Sequence, residues 1–397
     1  MPATYIERRV VELTVRSKPV LLFYLFAALL AFAQASLGPS MPFLRRELGF
    51  SYVLAAYHFS AISIGVILSG CVGDRVIPWI GRECAPWIAL AGAALGLSLL
   101  LASPSVVGTI AGMFLFGMST SIISQTRDAT FTEHLPKHRT LAISEVNIVA
   151  SLACMVAPAA VGFVVSGGTS WRVPLALAVL GCAAVWFGMK DVRVPPARTR
   201  DTHGTAGGRL TPAFWAYWCV VLLSCAAEWS LVFWSTEFLI HAGNMAHGAA
   251  CTAVSAFFVS MLLGRIWGSR IASRYNTTKL LPLFAYTALT GFLMFWILRP
   301  VPLMVTGLFL AGLGLSNLYP FTLSAALGLN PAVAAKATSR MGIAGGASGL
   351  FGPLLLGCLA DAHGIVVAYA AVAAILSLAL AAIFAANKIA ESQKQSS

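Results

Sequence analysis

The stretch "SGCVGDRVIPWIGRE" (residues 69–83) sets Asp74, Arg75, Arg82 and Glu83 between two long apolar runs. The 397-residue chain around it is 58% hydrophobic and only 10% charged, far below the roughly 25% charge of a soluble domain. Its apolar runs reach the roughly 18–20 residues that cross a bilayer. The charged stretch therefore reads as a turn between two membrane crossings.

Working outward, twelve apolar segments can be counted, at roughly 20–43, 53–73, 84–103, 105–126, 140–166, 172–189, 212–240, 248–268, 279–298, 301–328, 337–360 and 364–386. Each is long enough to cross. Helix is the economical reading, because lipid offers no partner to an unpaired backbone group. The N-terminal run follows Arg8, Arg9, Arg16 and Lys18, but from Pro19 to Leu44 it is long and has no convincing A-x-A cleavage site, so it reads as a retained first helix rather than a signal peptide.

An even number of spans puts both termini on one side. That side collects 22 of the 26 Lys and Arg residues, and the other holds Arg45, Arg46, Arg172 and Arg299. Basic residues stay inside, so the termini and residues 69–83 are expected to be cytoplasmic, in a bacterial-type inner membrane. The net charge of +12 is then topological. No basic-aromatic patch outside the apolar runs supports a nucleic-acid partner. The eight cysteines are scattered and form no CxxC pair, so they read as small buried hydrophobes. His134 and His138 have a spacing that suits zinc but no cysteine beside them, and no metal is assigned. His241 and His247 fall on the outer side, where a histidine can sense pH. Asn276-Thr277-Thr278 matches a glycosylation sequon but lies on the cytoplasmic side.

The polar stretch Lys190–Arg209, rich in Pro, Gly and charge, suits a flexible linker. It divides the chain into an N-terminal six-helix bundle (1–189), a linker (190–211) and a C-terminal six-helix bundle (212–397). The halves repeat one another. Gly70-x-x-x-Asp74-Arg75 returns as Gly264-x-x-x-Gly268 leading into Arg270, an offset of 264 − 70 = 194. "GMFLFG" (112–117) returns as "GLFLAG" (307–312), and Pro158-x-x-x-Gly162 as Pro353-x-x-x-Gly357, both offset by 195. Parallel repeats half a chain apart are a mark of two-halved membrane transporters.

With these residues the whole chain resembles the major facilitator superfamily. The family's loop between helices 2 and 3 carries G-x-x-x-D-R-x-G-R-R/K, and Gly70, Asp74, Arg75, Gly81 and Arg82 match the residue types. Val76–Ile80 separate Arg75 from Gly81 where the family has one residue, which makes Asp74 and Arg75 the firmer pair. Glu133, Pro136 and Arg139 resemble the family's loop between helices 4 and 5. The resemblance implies an all-α membrane protein of twelve transmembrane helices in two pseudo-symmetric bundles. It implies a conformational latch formed by Gly70, Asp74, Arg75, Arg82, Gly264 and Arg270, and a central cavity lined by helices 1, 4, 7 and 10.

Inside the spans, each ionisable residue counts. Glu228 lies about 16 residues into segment 7, near the bilayer centre at 1.5 Å per residue, where a charge costs about 2.5–3.5 kcal/mol on insertion scales. It is the expected proton or cation site, and an offset of 194 pairs it with Gln34 on the opposite wall. Glu145 and Arg340 stand 195 apart with opposite charge and are expected to pair across the cytoplasmic mouth when the protein faces outward. Ser119, Ser121, Gln125, Asn317 and Tyr319 are further polar candidates, and Trp229, Trp234 and Phe257 are candidate aromatic walls. No arginine was placed in the middle of a span, which favours a neutral or amphipathic small molecule over a multiply charged anion.

No P-loop, nucleophile elbow or nucleotide loop occurs, so neither an ATP-driven pump nor an enzyme is expected. No cofactor is expected either, only a proton or other ion gradient. The first reading is a monomeric, proton-coupled exporter of a drug-like compound or metabolite by alternating access. The second is uptake of a neutral nutrient such as a sugar. A third, of another class, is an uncoupled lipid translocase or a transporter-like sensor.

Overall fold

The computed structural model describes residue 14 and residues 16–196, 210–329 and 334–395, without the side chains of Asp74, Ala334, Ala335, Lys394 and Gln395. Most of the expected linker, and the side chain of Asp74 in the expected latch, thus lie outside the described residues. Among the described residues, twelve helical spans are long and apolar enough to cross a membrane. Spans 1–6 are Lys18–Leu48, Tyr52–Gly73, Ala85–Ala102, Val106–His134, Arg139–Ser166 and Arg172–Met189. Spans 7–12 are Pro212–Gly243, His247–Ala272, Thr277–Ile297, Val301–Leu329, Lys336–His363 and Ile365–Gln393. The start of span 1 and the end of span 12 share one face, here the terminal face; the opposite one is the far face.

Local sequence sets the ends. Ser51, Ser105 and Thr211 accept a backbone N–H at the starts of spans 2, 4 and 7, satisfying donors a helix start leaves open. Asn276 does the same for span 9, with its Oδ1 3.0 Å from Thr278 N, which gives the sequon a structural use. Spans 8 and 10 are interrupted at Val254 and at Ser316–Asn317. The opening stretch is not a turn throughout. Its helix runs from Tyr52 to Ile80 and stops at Gly81, so Val76–Ile80 prolong span 2 beyond the expected boundary by about two turns.

Spans 1–6 pack as one bundle and 7–12 as another. The bundles meet where span 2 crosses span 11, span 5 crosses span 8, and span 1 crosses span 7. In lipid, helices associate through close packing of small residues, and these contacts repeat between halves. A Cβ at Gly112 would overlap the Gly96 carbonyl, and one at Gly307 the Gly291 carbonyl. A Cβ at Gly117 would overlap Ile62, and one at Gly312 would press on Phe257. All four pairs differ by 195. The seams between halves repeat too: Gly162 of span 5 lies on Gly248 and Thr252, and Gly357 of span 11 lies on Tyr52 and Ala56.

The same register governs spans 1 and 7. Each ends on a left-handed cap, Gly49 (φ 64°) and Asn244 (φ 48°), again 195 apart. Two expected equivalences therefore shift by one residue. Gln34 corresponds to Trp229 rather than Glu228, and Gly264 corresponds to Ser69 rather than Gly70. The latch role expected of Gly70 has no packing basis in this state, since a Cβ there meets nothing within 4 Å. Gly65, which abuts the Phe114 carbonyl, and Gly73, which abuts the Gln125 side chain, are the glycines of span 2 that pack on span 4.

Replacing Gly117 by Leu forces a side chain into the Ile62 backbone, an overpacking of about 1–3 kcal/mol. The expected outcome is a clear drop in monodisperse protein by gel filtration, with Gly70→Leu leaving the yield unchanged.

Candidate functional site

A cavity lies between the halves. One part, of about 260 Å³, is walled by spans 1, 5, 7 and 8. The adjoining part, of about 640 Å³, is walled by spans 5, 7, 8, 10 and 11 and shares Asn147, Glu228, Trp229 and Arg265 with the first. Helical spacing produces this lining. Asn147, Ala150, Ser151 and Cys154 of span 5 fall at i, i+3, i+4 and i+7, as do Cys225, Glu228, Trp229 and Val232 of span 7. Met261, Arg265 and Ser269 of span 8 stand at four-residue steps. Each set is one face of its helix.

Two ionisable groups face this space. Glu228, on span 7, makes no hydrogen bond or ion pair with any described residue. Arg265, on span 8, makes only a long contact, Nη1 to Ser151 Oγ at 3.5 Å. Gln34, Asn147 and Ser151 add neutral polar atoms, and Trp229, Phe258 and Met261 add apolar surface. Asn317 and Tyr319 line the larger part. Asn317 also braces the break in span 10: its Nδ2 donates to the Gly264 carbonyl at 2.6 Å and to Ser316 Oγ at 2.8 Å. Gly264 thus serves the packing of span 8 on span 10.

Other candidates lie in helix seams instead. Gln125 Nε2 donates to the Ser69 carbonyl at 3.2 Å and to Ser121 Oγ at 3.0 Å, while Ser121 Oγ donates to the Val66 carbonyl at 3.3 Å. Both residues are held between spans 2 and 4, and span 4 contributes no residue to either part of the cavity. Ser119 is buried against Gly92. Trp234 is buried with its Nε1 on the Pro353 carbonyl at 3.1 Å, and Phe257 is buried under Gly312. Sequence reading missed Asn147, Ser151 and above all Arg265, which falls among the 22 basic residues counted on the side of the termini. The four-residue step from Met261 was the signal.

The far end of the cavity is sealed. Arg45 of span 1 pairs with the buried Glu237 of span 7 at 2.5 Å, and Tyr52 of span 2 donates to the same carboxylate oxygen at 3.2 Å while Arg45 lies over its ring. Arg46 meets His247, and His241 Nδ1 lies 3.7 Å from Glu237. Asp361 of span 11 accepts the N–H groups of Tyr52 and Val53 at 2.7 and 2.9 Å, where the helix dipole of span 2 favours an anion. These bonds between halves cluster at the far end, and the larger part of the cavity extends from Glu228 toward the terminal face, past Cys225, Ser269 and Tyr319.

On that face Arg82 pairs with Glu133 at 2.5 Å, joining the span 2–span 3 connection to the end of span 4 within one half. The prolonged helix brings Arg82, not Arg75, to this carboxylate; Arg75 and Arg270 are exposed. Glu145 accepts from Tyr24 Oη at 2.5 Å, and the Arg340 side chain is exposed while its carbonyl accepts Trp218 Nε1 at 2.9 Å. Glu145 and Arg340 do not pair in this state. His134 Nε2 lies 3.2 Å from the Pro196 carbonyl, so the first residues after span 6 are fastened to span 4.

Two six-span bundles around a central polar cavity, sealed at one end, define a membrane transporter architecture. The sequence profile of the Major Facilitator Superfamily matches residues 23–327, and the chain belongs to that family. It is 26% identical over 369 residues to an uncharacterized MFS-type transporter of Yersinia pestis, covering 87% of this chain and 91% of that one. Among solved structures, a mutant of the nucleoside transporter NupG superposes with a TM-score of 0.79 at 12% identity, covering 93% of this chain and 99% of that one. A D-xylose-proton symporter gives 0.75 at 15% identity, covering 92% and 96%.

Hydrogen bonds to a charged group are worth about 1.5–3 kcal/mol, so Asp361→Asn weakens the far seal. In a cysteine-free background with Ser40→Cys, which is buried beside the seam, an impermeant thiol reagent applied at the far face should label Asp361→Asn several-fold faster. Equal rates would mean that this cap does not hold the seal.

Proposed function

We propose that the chain is a proton-coupled secondary transporter of a small organic molecule, working by alternating access as a monomer in an inner membrane. The observation that carries this reading is Glu228, a carboxyl group at mid-span that faces the cavity and has no protein partner. An acid in that setting is functional by default, and a carboxyl group open to the cavity can take up and release a proton there. No cofactor is required, because the ion gradient supplies the energy. In this reading the terminal face is cytoplasmic and the structure is the state open to the cytoplasm. Glu145 and Arg340 pair in the opposite state, when the terminal mouth closes. If so, reversing both charges restores transport that either single reversal abolishes.

Export of an amphipathic compound fits the aromatic and thioether walls around the polar groups. Uptake is the second reading, favoured by the fold likeness to a D-xylose-proton symporter. The test is accumulation of dyes, antibiotics and labelled sugars in pump-deficient cells, with and without an uncoupler. Export predicts that wild type lowers accumulation of at least one compound, and that Glu228→Gln and the uncoupler each abolish the effect. Raised accumulation makes the protein an uptake carrier. Transport that ignores both the uncoupler and Glu228→Gln removes proton coupling and points to an uncoupled translocase.

A further inference from the structure

Arg265 changes what the cavity can hold. An arginine does not give up its proton in a protein, so this wall carries a fixed positive charge. A charged side chain within a span is normally paired or functional. Arg265 has no carboxylate partner among the described residues. Its one contact, to Ser151 Oγ at 3.5 Å, is at the outer limit for a hydrogen bond. Glu228, on the neighbouring span 7, lines the same two cavity parts and makes no hydrogen bond or ion pair with a described residue, although the charge of Arg265 reaches it across the shared space. With Glu228 ionised, the cavity presents one anion and one cation, both free, with Asn147 lining the same space and Trp229 and Phe258 beside it.

We propose that the cavity binds a zwitterion, an amino-acid-like molecule whose carboxylate is taken by Arg265, whose ammonium is taken by Glu228, and whose apolar part lies against Trp229 and Phe258. The guanidinium fork suits a carboxylate because it can donate two parallel N–H bonds. Such a ligand satisfies both groups at once, whereas a neutral solute would leave Arg265, which is exposed to the cavity, without a carboxylate. This assignment replaces the neutral substrate favoured by the sequence. It rests on the transporter reading for its use, because ammonium and proton then compete for one carboxylate, which is the exchange an antiporter needs.

The test uses the detergent-purified full chain and three probes that differ by one charge each: phenylalanine, its amide, which lacks the carboxylate, and 3-phenylpropionate, which lacks the amine. Binding is read by displacement of radiolabelled phenylalanine, with alanyl-phenylalanine as a larger zwitterionic probe. The expected result is at least tenfold tighter binding of the zwitterions than of either single-charge probe. Arg265→Gln should erase the preference over the amide, Arg265→Lys should keep part of it, and Glu228→Gln should erase the preference over phenylpropionate. In wild type, zwitterion binding should weaken as pH falls and the proton takes Glu228, and Glu228→Gln should flatten that dependence.

If neither zwitterion binds, if the three phenyl probes bind alike, or if neither variant changes the preference, the proposal is overturned. Phenylpropionate binding as tightly as phenylalanine also overturns it, in favour of a simple anion site. The transporter reading stands or falls separately. Zwitterion binding without proton-linked movement in proteoliposomes would sink that reading and leave this site intact, and proton-linked transport of neutral compounds unaffected by Arg265→Gln would do the reverse.

Discussion

Helices in a bilayer gain nothing by hiding oily side chains from oily surroundings, so close backbone approach has to hold this molecule together. The Gly96–Gly112 and Gly291–Gly307 contacts do this within each half, and Gly162 and Gly357 do it between halves. Two seams between halves set a single glycine, Gly162 or Gly357, against the start of a partner helix, and the third sets Gly38 against the span 7 backbone at Val232. Such a seam is thin. It is reinforced at the far end by charge, through Arg45–Glu237 and Asp361, and that end of the cavity is closed.

Polar groups divide into two kinds by what they touch. Gln125, Ser121 and Asn317 donate to backbone carbonyls exposed by close helix packing, and they fix helices within a half. Glu228 and Arg265 touch little, and what they can touch is a visitor. Unmet bonding capacity separates the site from the scaffold more sharply than polarity does.

Much of the architecture was legible in the sequence because membranes impose long apolar runs and because the halves are copies. The twelve crossings and the repeat needed no coordinates, although the repeat was read with two offsets, 194 and 195. Boundaries were less legible where apolar residues continued past the membrane, as in Val76–Ile80, since hydropathy alone cannot say where a helix leaves lipid. The site was harder. Ser121, Gln125, Trp234 and Phe257 have the residue types of a cavity wall, but helix rotation, which composition does not encode, turns them into seams. Arg265 was counted among the basic residues on the side of the termini. Only the neighbouring helices reveal that its face is the cavity face. A one-residue error in repeat register likewise paired Gln34 with the wrong partner, and the left-handed caps at Gly49 and Asn244 resolve it.

That register bears on how the copies have diverged. At an offset of 195, Glu228 and Arg265 correspond to Ala33 and Gly70 in the first half. The second copy holds both ionisable cavity groups, while the first supplies small residues at the same depths. The electric field across the cavity is therefore lopsided. A charged ligand held as proposed would be bound by one bundle and faced by the other, so the two copies would have unlike tasks, a carriage and a door rather than two equal hands.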